Sequence, residues 1–233
     1  MLREPLGVRY VQVAKTYRQG DRDIHVLSGV TFDVAPGEFI ALMGPSGSGK
    51  SSLLNLTAGI DHPTAGQVLV GDRDPKSMNE TQLADWRRGS IGFIFQRYHL
   101  VNVLSAAENV EVPLLLHKLS KDERRRRVHT ALELVGLADR ARSFPRMLSG
   151  GEEQRVAIAR TIVNDPAIIL ADEPTGDLDT GSAQEILGLL TLLNQNFRKT
   201  IIMVTHDGDA ARYAHRTMYL HKGQFSEVQA GAH

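Results

Sequence analysis

The spacing of apolar residues changes several times along the chain, and each change predicts a different element. Between Gly7 and Val34, the runs VRYVQVAKTY and HVLSGVTFDV mix β-branched, aromatic and polar residues, a pattern of half-buried antiparallel strands. Pro36-Gly37 marks a turn. EFIALMG is then a short apolar strand that runs into the glycine-rich PSGSGK and the helix-compatible SSLLNLTAGI. QVLVG and IGFIFQ read as further strands, separated by a polar helix around Thr81 to Arg87. From Arg97 to about Met147 the pattern turns helical and charged, with four arginines at Arg124 to Arg127 that read as a solvated helix face. A helix from Gly151 to Val163 leads into AIILADEP, a buried strand. The remaining chain alternates a helix over Ser182 to Asn196, the strand TIIMVTH, a helix and one strand, TMYLHKGQF.

Strands alternating with helices predict an α/β fold with a mostly parallel sheet. The early strands add an antiparallel β layer on the N-terminal side. Residues 97–163 are expected to form an inserted α-helical subdomain, and residues 1–96 with 164–233 the core.

Composition narrows the function. The chain has 233 residues, enough for a substantial core. Lysine plus arginine is 27 and aspartate plus glutamate is 27, a balance that gives no support for a general nucleic-acid-binding surface while leaving room for a local basic patch, and no nucleic-acid partner is expected. The absence of cysteine excludes disulfides, thiolate metal sites and a cysteine nucleophile. The first residues lack the apolar core of a secretory signal. No run approaches the roughly 18 apolar residues of a membrane span, since Val110 to Leu116 is interrupted by Glu111 and Pro113. A cytoplasmic protein is expected, reaching a membrane only through a partner.

Two segments carry recognisable chemistry. Gly44-Pro45-Ser46-Gly47-Ser48-Gly49-Lys50-Ser51, followed by Ser52, fits G-x-x-x-x-G-K-[ST] between a strand and a helix. Glycines let successive backbone N–H groups converge on phosphate oxygens at a helix N-terminus. Lys50 can reach the β- and γ-phosphates, and the Ser51 hydroxyl can ligate Mg²⁺. In AIILADE, an apolar strand ends in Asp172 and Glu173, placing one acid to hold Mg²⁺ and the next to orient or deprotonate an attacking water. Together these specify a P-loop NTPase and nothing narrower. A third segment, Leu148-Ser149-Gly150-Gly151-Glu152, is a small-residue turn opening an amphipathic helix. It suits an anion site, and equally an ordinary capped helix.

LSGGEEQRVAIAR, lying just before the Asp172-Glu173 strand, resembles the signature motif of ABC ATPases. The resemblance spans roughly Val8 to Phe225 and implies further assignments. Gln96 resembles the family's glutamine loop, which senses Mg²⁺ and faces the transmembrane partner. Gly176 to Asp179 resembles its D-loop and His206 its switch histidine. Tyr17 stands where the family places an aromatic that stacks on adenine. The family's mechanism implies a homodimer sandwiching two ATP molecules, with Leu148, Ser149, Gly150, Gly151, Glu152 and Asp179 acting in trans on the partner's nucleotide. Lys50, Glu173 and His206 would be the catalytic groups, with Ser51, Gln96 and Asp172 on the metal.

MGPSGSGKSSLLNLTAGID, IGFIFQRYHLVNVLSAAENVEVPL, LSGGEEQRVAIAR and ADEPTGDLD are most similar to the lipoprotein-release and macrolide-export class, with the cell-division ATPase nearby. Glu152 suits this class, where many importers have glutamine; HRTMYLHKGQF and VNVLSAAENV depart from its usual sequence. The resemblance implies an integral membrane permease as partner, docking around Arg97 to Val103, and a location at the inner face of the cell membrane. A soluble ABC ATPase of repair or translation, and a low-turnover ATP switch, are the competing expectations.

Overall fold

The computed structural model describes residues 3–228; the remaining residues of the expected 1–233 domain lie outside the described range. β1 (Val8–Gln19) and β2 (Arg22–Val34) form the antiparallel hairpin expected from the sequence. β4 (Ala65–Val70) pairs on the other edge of β1, giving a three-stranded antiparallel sheet in the order β2-β1-β4.

The second sheet has six strands. Its order is β5 (Ile91–Phe95), β6 (Ile168–Asp172), β7 (Thr200–Val204), β3 (Phe39–Met43), β8 (Arg216–His221) and β9 (Gln224–Val228). The first five run parallel and β9 is antiparallel to β8. TMYLHKGQF, expected as one strand, is therefore a hairpin. Its turn is Lys222-Gly223, with φ of 48° and 74°, the left-handed pair that a two-residue hairpin turn demands.

Strand periodicity sorts the central side chains between two cores. Phe39, Ala41, Ile169, Ala171, Ile201 and Met203 face one side, and Ile40, Leu42, Ile168, Leu170, Ile202 and Val204 the other. The first side is covered by α3 (Ala106–Glu111), α4 (Lys121–Leu134), α5 (Gly150–Ile162) and α6 (Thr180–Phe197). The second receives α1 (Lys50–Thr57), α2 (Glu80–Ser90) and the antiparallel sheet. A strand buried on both faces must be apolar throughout, which is why FIALM, IILAD and TIIMV lack alternation. A short α7 (Gly208–Ala211) links β7 to β8.

Of the arginine run, Arg126 and Arg127 lie against Glu123 on their own helix, as a solvated face would. Arg124 instead turns inward to Glu111 at 2.7 Å and to the Leu119 carbonyl, tying α4 to α3.

A buried polar contact ties the antiparallel sheet to α1. Tyr10, fully buried, places its hydroxyl 2.5 Å from Thr57 Oγ1, and Thr57 in turn donates to the Leu53 carbonyl. The threonine proton is thus spent, so Tyr10 is the donor. Burial drives the Tyr10 hydroxyl's pKa far up, with Thr57 only partly offsetting it. Tyr10→Phe should lower unfolding free energy by about 1 kcal/mol without altering the fold, measured by urea denaturation. An unchanged midpoint would show that this bond contributes nothing net.

Candidate nucleotide site

Parallel registry brings the candidate residues to one edge. Phe95 pairs with Asp172, Asp172 with Val204, and Leu42 lies opposite Val204 on the next strand. The chain leaves these four strands at Gln96, Glu173, Thr205-His206 and Met43-Gly44, side by side at the carboxyl edge where α/β sheets bind ligands.

The loop after β3 has two glycines for which no other residue fits. Gly44 has φ 142°, and a Cβ there would lie 2.1 Å from the Leu220 carbonyl oxygen. Gly49 has φ 103° and begins α1 from the left-handed region, with Val26 and Leu27 pressed against it. Pro45, Ser46 and Gly47 form the exposed tip, while Ser48, Gly49 and Lys50 are buried. Lys50 Nζ donates to the Gly44 and Pro45 carbonyls at 2.8 and 2.9 Å, so its ammonium sits inside the loop. Burial lowers its pKa, while the nearby Glu173 and Asp172 carboxylates pull it back up. Ser48 Oγ is buried with no hydrogen-bond partner among the described residues.

Ser51, Gln96, Asp172 and Glu173 line one cavity of about 290 Å³ with Phe95, Arg97 and His99. Burial raises the Asp172 carboxyl's pKa and Glu173 adds to it; the Ser51 hydroxyl bond and Lys50 work against the shift. Glu173 holds φ 48°, a region costly for a non-glycine residue, and its N–H donates to the Val204 carbonyl at 2.9 Å. Its Oε2 lies 3.1 Å from Nδ1 of the exposed His206. Gln96 Nε2 donates to Asp177 Oδ1 at 3.0 Å.

Leu148 to Glu152 pack elsewhere. Ser149 caps α5 in a reciprocal box: its Oγ accepts the Glu152 N–H, and the Glu152 carboxylate accepts the Ser149 N–H at 2.8 Å. The capped helix of the sequence reading is present, and this box uses the Ser149 and Glu152 amides, not those of Gly150 and Gly151. A Cβ on Gly150 would meet Tyr98 and Leu178, and one on Gly151 would meet Ser182. Asp179 caps α6, taking both the amide and the hydroxyl of Ser182. The glycine turn and Asp179 thus adjoin each other through Ser182. Tyr17, on β1, reaches toward α1, its hydroxyl 2.8 Å from Asp61 Oδ2 and 3.5 Å from Ser52 Oγ.

Sequence reasoning passed over the residues that connect these groups. Buried Gln154 donates to the Phe95 and Pro174 carbonyls, joining α5 to the segments carrying Gln96 and Glu173. Arg160 donates to the Tyr98 and His99 carbonyls at 2.7 and 2.6 Å. One signal was legible: Gln154 interrupts the apolar row of Gly151 and Ile158 on α5.

Residues 27–176 match the family model described as ABC transporter. An uncharacterized ABC transporter ATP-binding protein, YvrO of Bacillus subtilis, is 48% identical over 212 residues, 91% of this chain and 92% of that protein. A macrolide export ATP-binding/permease protein, MacB 1/2 of Paracoccus denitrificans, is 45% identical over 93% of this chain, which corresponds to 32% of that longer protein. The solved structure of the ATP-binding cassette MJ0796, a dimer in a post-hydrolysis state bound to ADP and Pi, superposes with a TM-score of 0.86 at 40% identity, covering 96% of this chain and 99% of that one. The source organism of MJ0796 is Methanocaldococcus jannaschii. A glycine loop, an acid-ended strand and a capped glycine turn in this order, on a fold shared with that cassette, place the chain in the ABC transporter family as an ATP-binding cassette.

Proposed function

We propose that this chain dimerises around two ATP molecules and hydrolyses them to drive a conformational change in an integral membrane permease of the lipoprotein-release and macrolide-export class. The observation that carries the reading is the convergence of Lys50, Asp172, Glu173 and His206 on adjacent strand ends, with Glu173 and His206 in hydrogen-bond contact. A homodimer is supported by the dimeric MJ0796 cassette, and a membrane partner by the permease portion of the macrolide exporter. The relatives are transporter ATP-binding proteins, which favours a permease over a role in repair or translation. Among the described residues no helix is long and apolar enough to cross a membrane, so the permease would supply the span and this chain would lie at its cytoplasmic face.

The loop amides and Lys50 would receive the β- and γ-phosphates. Phosphate oxygens are stronger acceptors than the two carbonyls Lys50 now holds, so exchange is favourable. The donor set fits Mg²⁺. Ser51 Oγ, the Asp172 carboxylate and the Gln96 amide oxygen are all hard oxygen ligands in one cavity, and the Gln96 amide nitrogen is already engaged by Asp177. When bound, the cation would neutralise phosphate charge. Glu173 would take the proton of the attacking water as the water oxygen bonds to the γ-phosphorus and the bond to ADP breaks. With His206 Nδ1 facing Glu173, its Nε2 is left for a phosphate oxygen. Ser149, the Gly150 and Gly151 amides and Asp179 would act on the partner's nucleotide, a reading supported by the dimeric MJ0796 cassette.

Val101 and Val103, in the segment after Gln96, are exposed apolar residues suited to a short cytoplasmic helix of the permease. Arg97 to Val103 would then pass motion to Gln96, braced by Arg160.

Three outcomes are expected. Lys50→Ala should lower ATP turnover by about a hundredfold or more, the scale for removing one charge-stabilising group; full turnover would remove the phosphate-loop assignment. Glu173→Gln should bind ATP, stop hydrolysing it and accumulate a dimer with ATP-Mg²⁺ on light scattering; a monomer at saturating ATP-Mg²⁺ would sink the sandwich for the isolated subunit. Val103→Glu should keep the isolated subunit's ATPase but lose the permease on co-purification from detergent-solubilised cells, and retained co-purification would count against this docking surface.

A further inference from the structure

Lys15 and Tyr17 lie two residues apart on β1 and so share a face. Asp61 lies in the loop after α1, whose first turn carries Lys50, Ser51 and Ser52. These distant segments meet in one cluster. Lys15 Nζ donates to Asp61 Oδ1 at 2.6 Å and to the His62 carbonyl at 2.8 Å. Asp61 Oδ2 accepts the Tyr17 hydroxyl proton at 2.8 Å, and Oδ1 also accepts the His62 N–H at 2.7 Å. The Lys15 ammonium stands 4.7 Å from the centre of the Tyr17 ring. The ion pair is mostly buried, with the Lys15 side chain 10% and Asp61 29% exposed, whereas Tyr17 remains 37% exposed.

A half-exposed tyrosine near the end of a strand would otherwise sample several rotamers. Here its far end is fixed through Asp61, and one ring face is taken by the ammonium. Only the opposite face is left for a flat ligand. We propose that Asp61, backed by Lys15, is a positioning residue that holds the Tyr17 ring as a preformed platform for the base of the bound nucleotide. This deepens the proposed function and rests on Tyr17 being the residue the base stacks on. The physical gain is that ring ordering is completed before binding, so stacking is not offset by lost side-chain freedom. The cation behind the ring also draws π density away from the free face, which suits stacking against an electron-rich purine. Burial alone would raise the Asp61 carboxyl's pKa, but hydrogen bonds from Lys15, Tyr17 and the His62 amide, with the Lys15 charge, hold it below the usual carboxylate range. The acceptor is therefore ionised at neutral pH.

The test separates base recognition from phosphate recognition. Calorimetric affinities for ATP and for inorganic tripolyphosphate, which has no base, are measured with Asp61→Asn, Tyr17→Phe and Tyr17→Ala in the full chain. Asp61→Asn and Tyr17→Phe should each weaken ATP by about three- to tenfold, the scale of one aromatic contact, and leave tripolyphosphate within about twofold. The KM for ATP should rise by more than kcat falls in Asp61→Asn. If Tyr17→Ala weakens ATP but Asp61→Asn and Tyr17→Phe bind like the parent, the positioning role is overturned and Tyr17 keeps its place. If tripolyphosphate weakens as much as ATP, Asp61 merely holds the loop and the proposal fails. ATP binding untouched in Tyr17→Ala would overturn the adenine reading itself. Tyr17→Phe keeps the ring and removes only the hydroxyl, so the result does not depend on how well Asp61→Asn folds.

Discussion

The parallel hydrogen-bond register of β5, β6, β7 and β3 is the constraint on which the site depends. β6, β7 and β3 are short and buried on both faces, so their backbone groups must be paired within the sheet, and β5 lies at its edge in parallel register with β6. Once paired, the chain ends at Phe95, Asp172, Val204 and Met43 fall in line, and the residues that follow are delivered together. A slip of one residue would exchange the two cores and turn Asp172 toward the other face. Packing of Ile40, Leu42, Ile202 and Val204 on one side and Ala41, Ile201 and Met203 on the other therefore fixes the chemistry as well as the fold.

Conformations that would be costly elsewhere are concentrated at that edge. Gly44 and Gly49 adopt backbone angles closed to other residues, and Glu173 enters the left-handed region without being glycine. The sheet holds Glu173 there through the Val204 carbonyl, and His206 holds its carboxylate. Ser48 Oγ is buried without a hydrogen-bond partner among the described residues, and burial raises the pKa of the Asp172 carboxyl. One buried hydroxyl lacking a partner and a strained backbone suit the proposed ligand, which would supply acceptors and charge.

Helix α5 links this edge to the rest of the molecule. Its N-terminus presents the glycine turn, its middle places Gln154 against the strand ends, and its last turn fixes Arg160 on the segment after Gln96. One rigid helix thus touches the glycine turn, the hydrolytic loop and the segment proposed to meet the permease. A displacement at any of the three would be carried to the others if the helix moves as a body.

The sequence by itself determined the alternation of strands and helices, the glycine-rich loop and the acid-ended strand, because local periodicity and loop chemistry dictate them. The eight-residue pattern from Gly44 to Ser51 and the AIILADE run need only their immediate neighbours to be interpreted. The Lys222-Gly223 turn was also local, yet TMYLHKGQF reads as one strand until β9 is seen folding back on β8. Tertiary structure alone decided which distant residues meet. Nothing in the spacing relates Tyr17 to Asp61, 44 positions away, or Gln154 to Pro174, since those contacts follow from how sheets and helices stack. Sequence pattern reports which face of an element is apolar, whereas the pairing of polar side chains across elements depends on register, crossing geometry and burial, which exist only in the assembled fold.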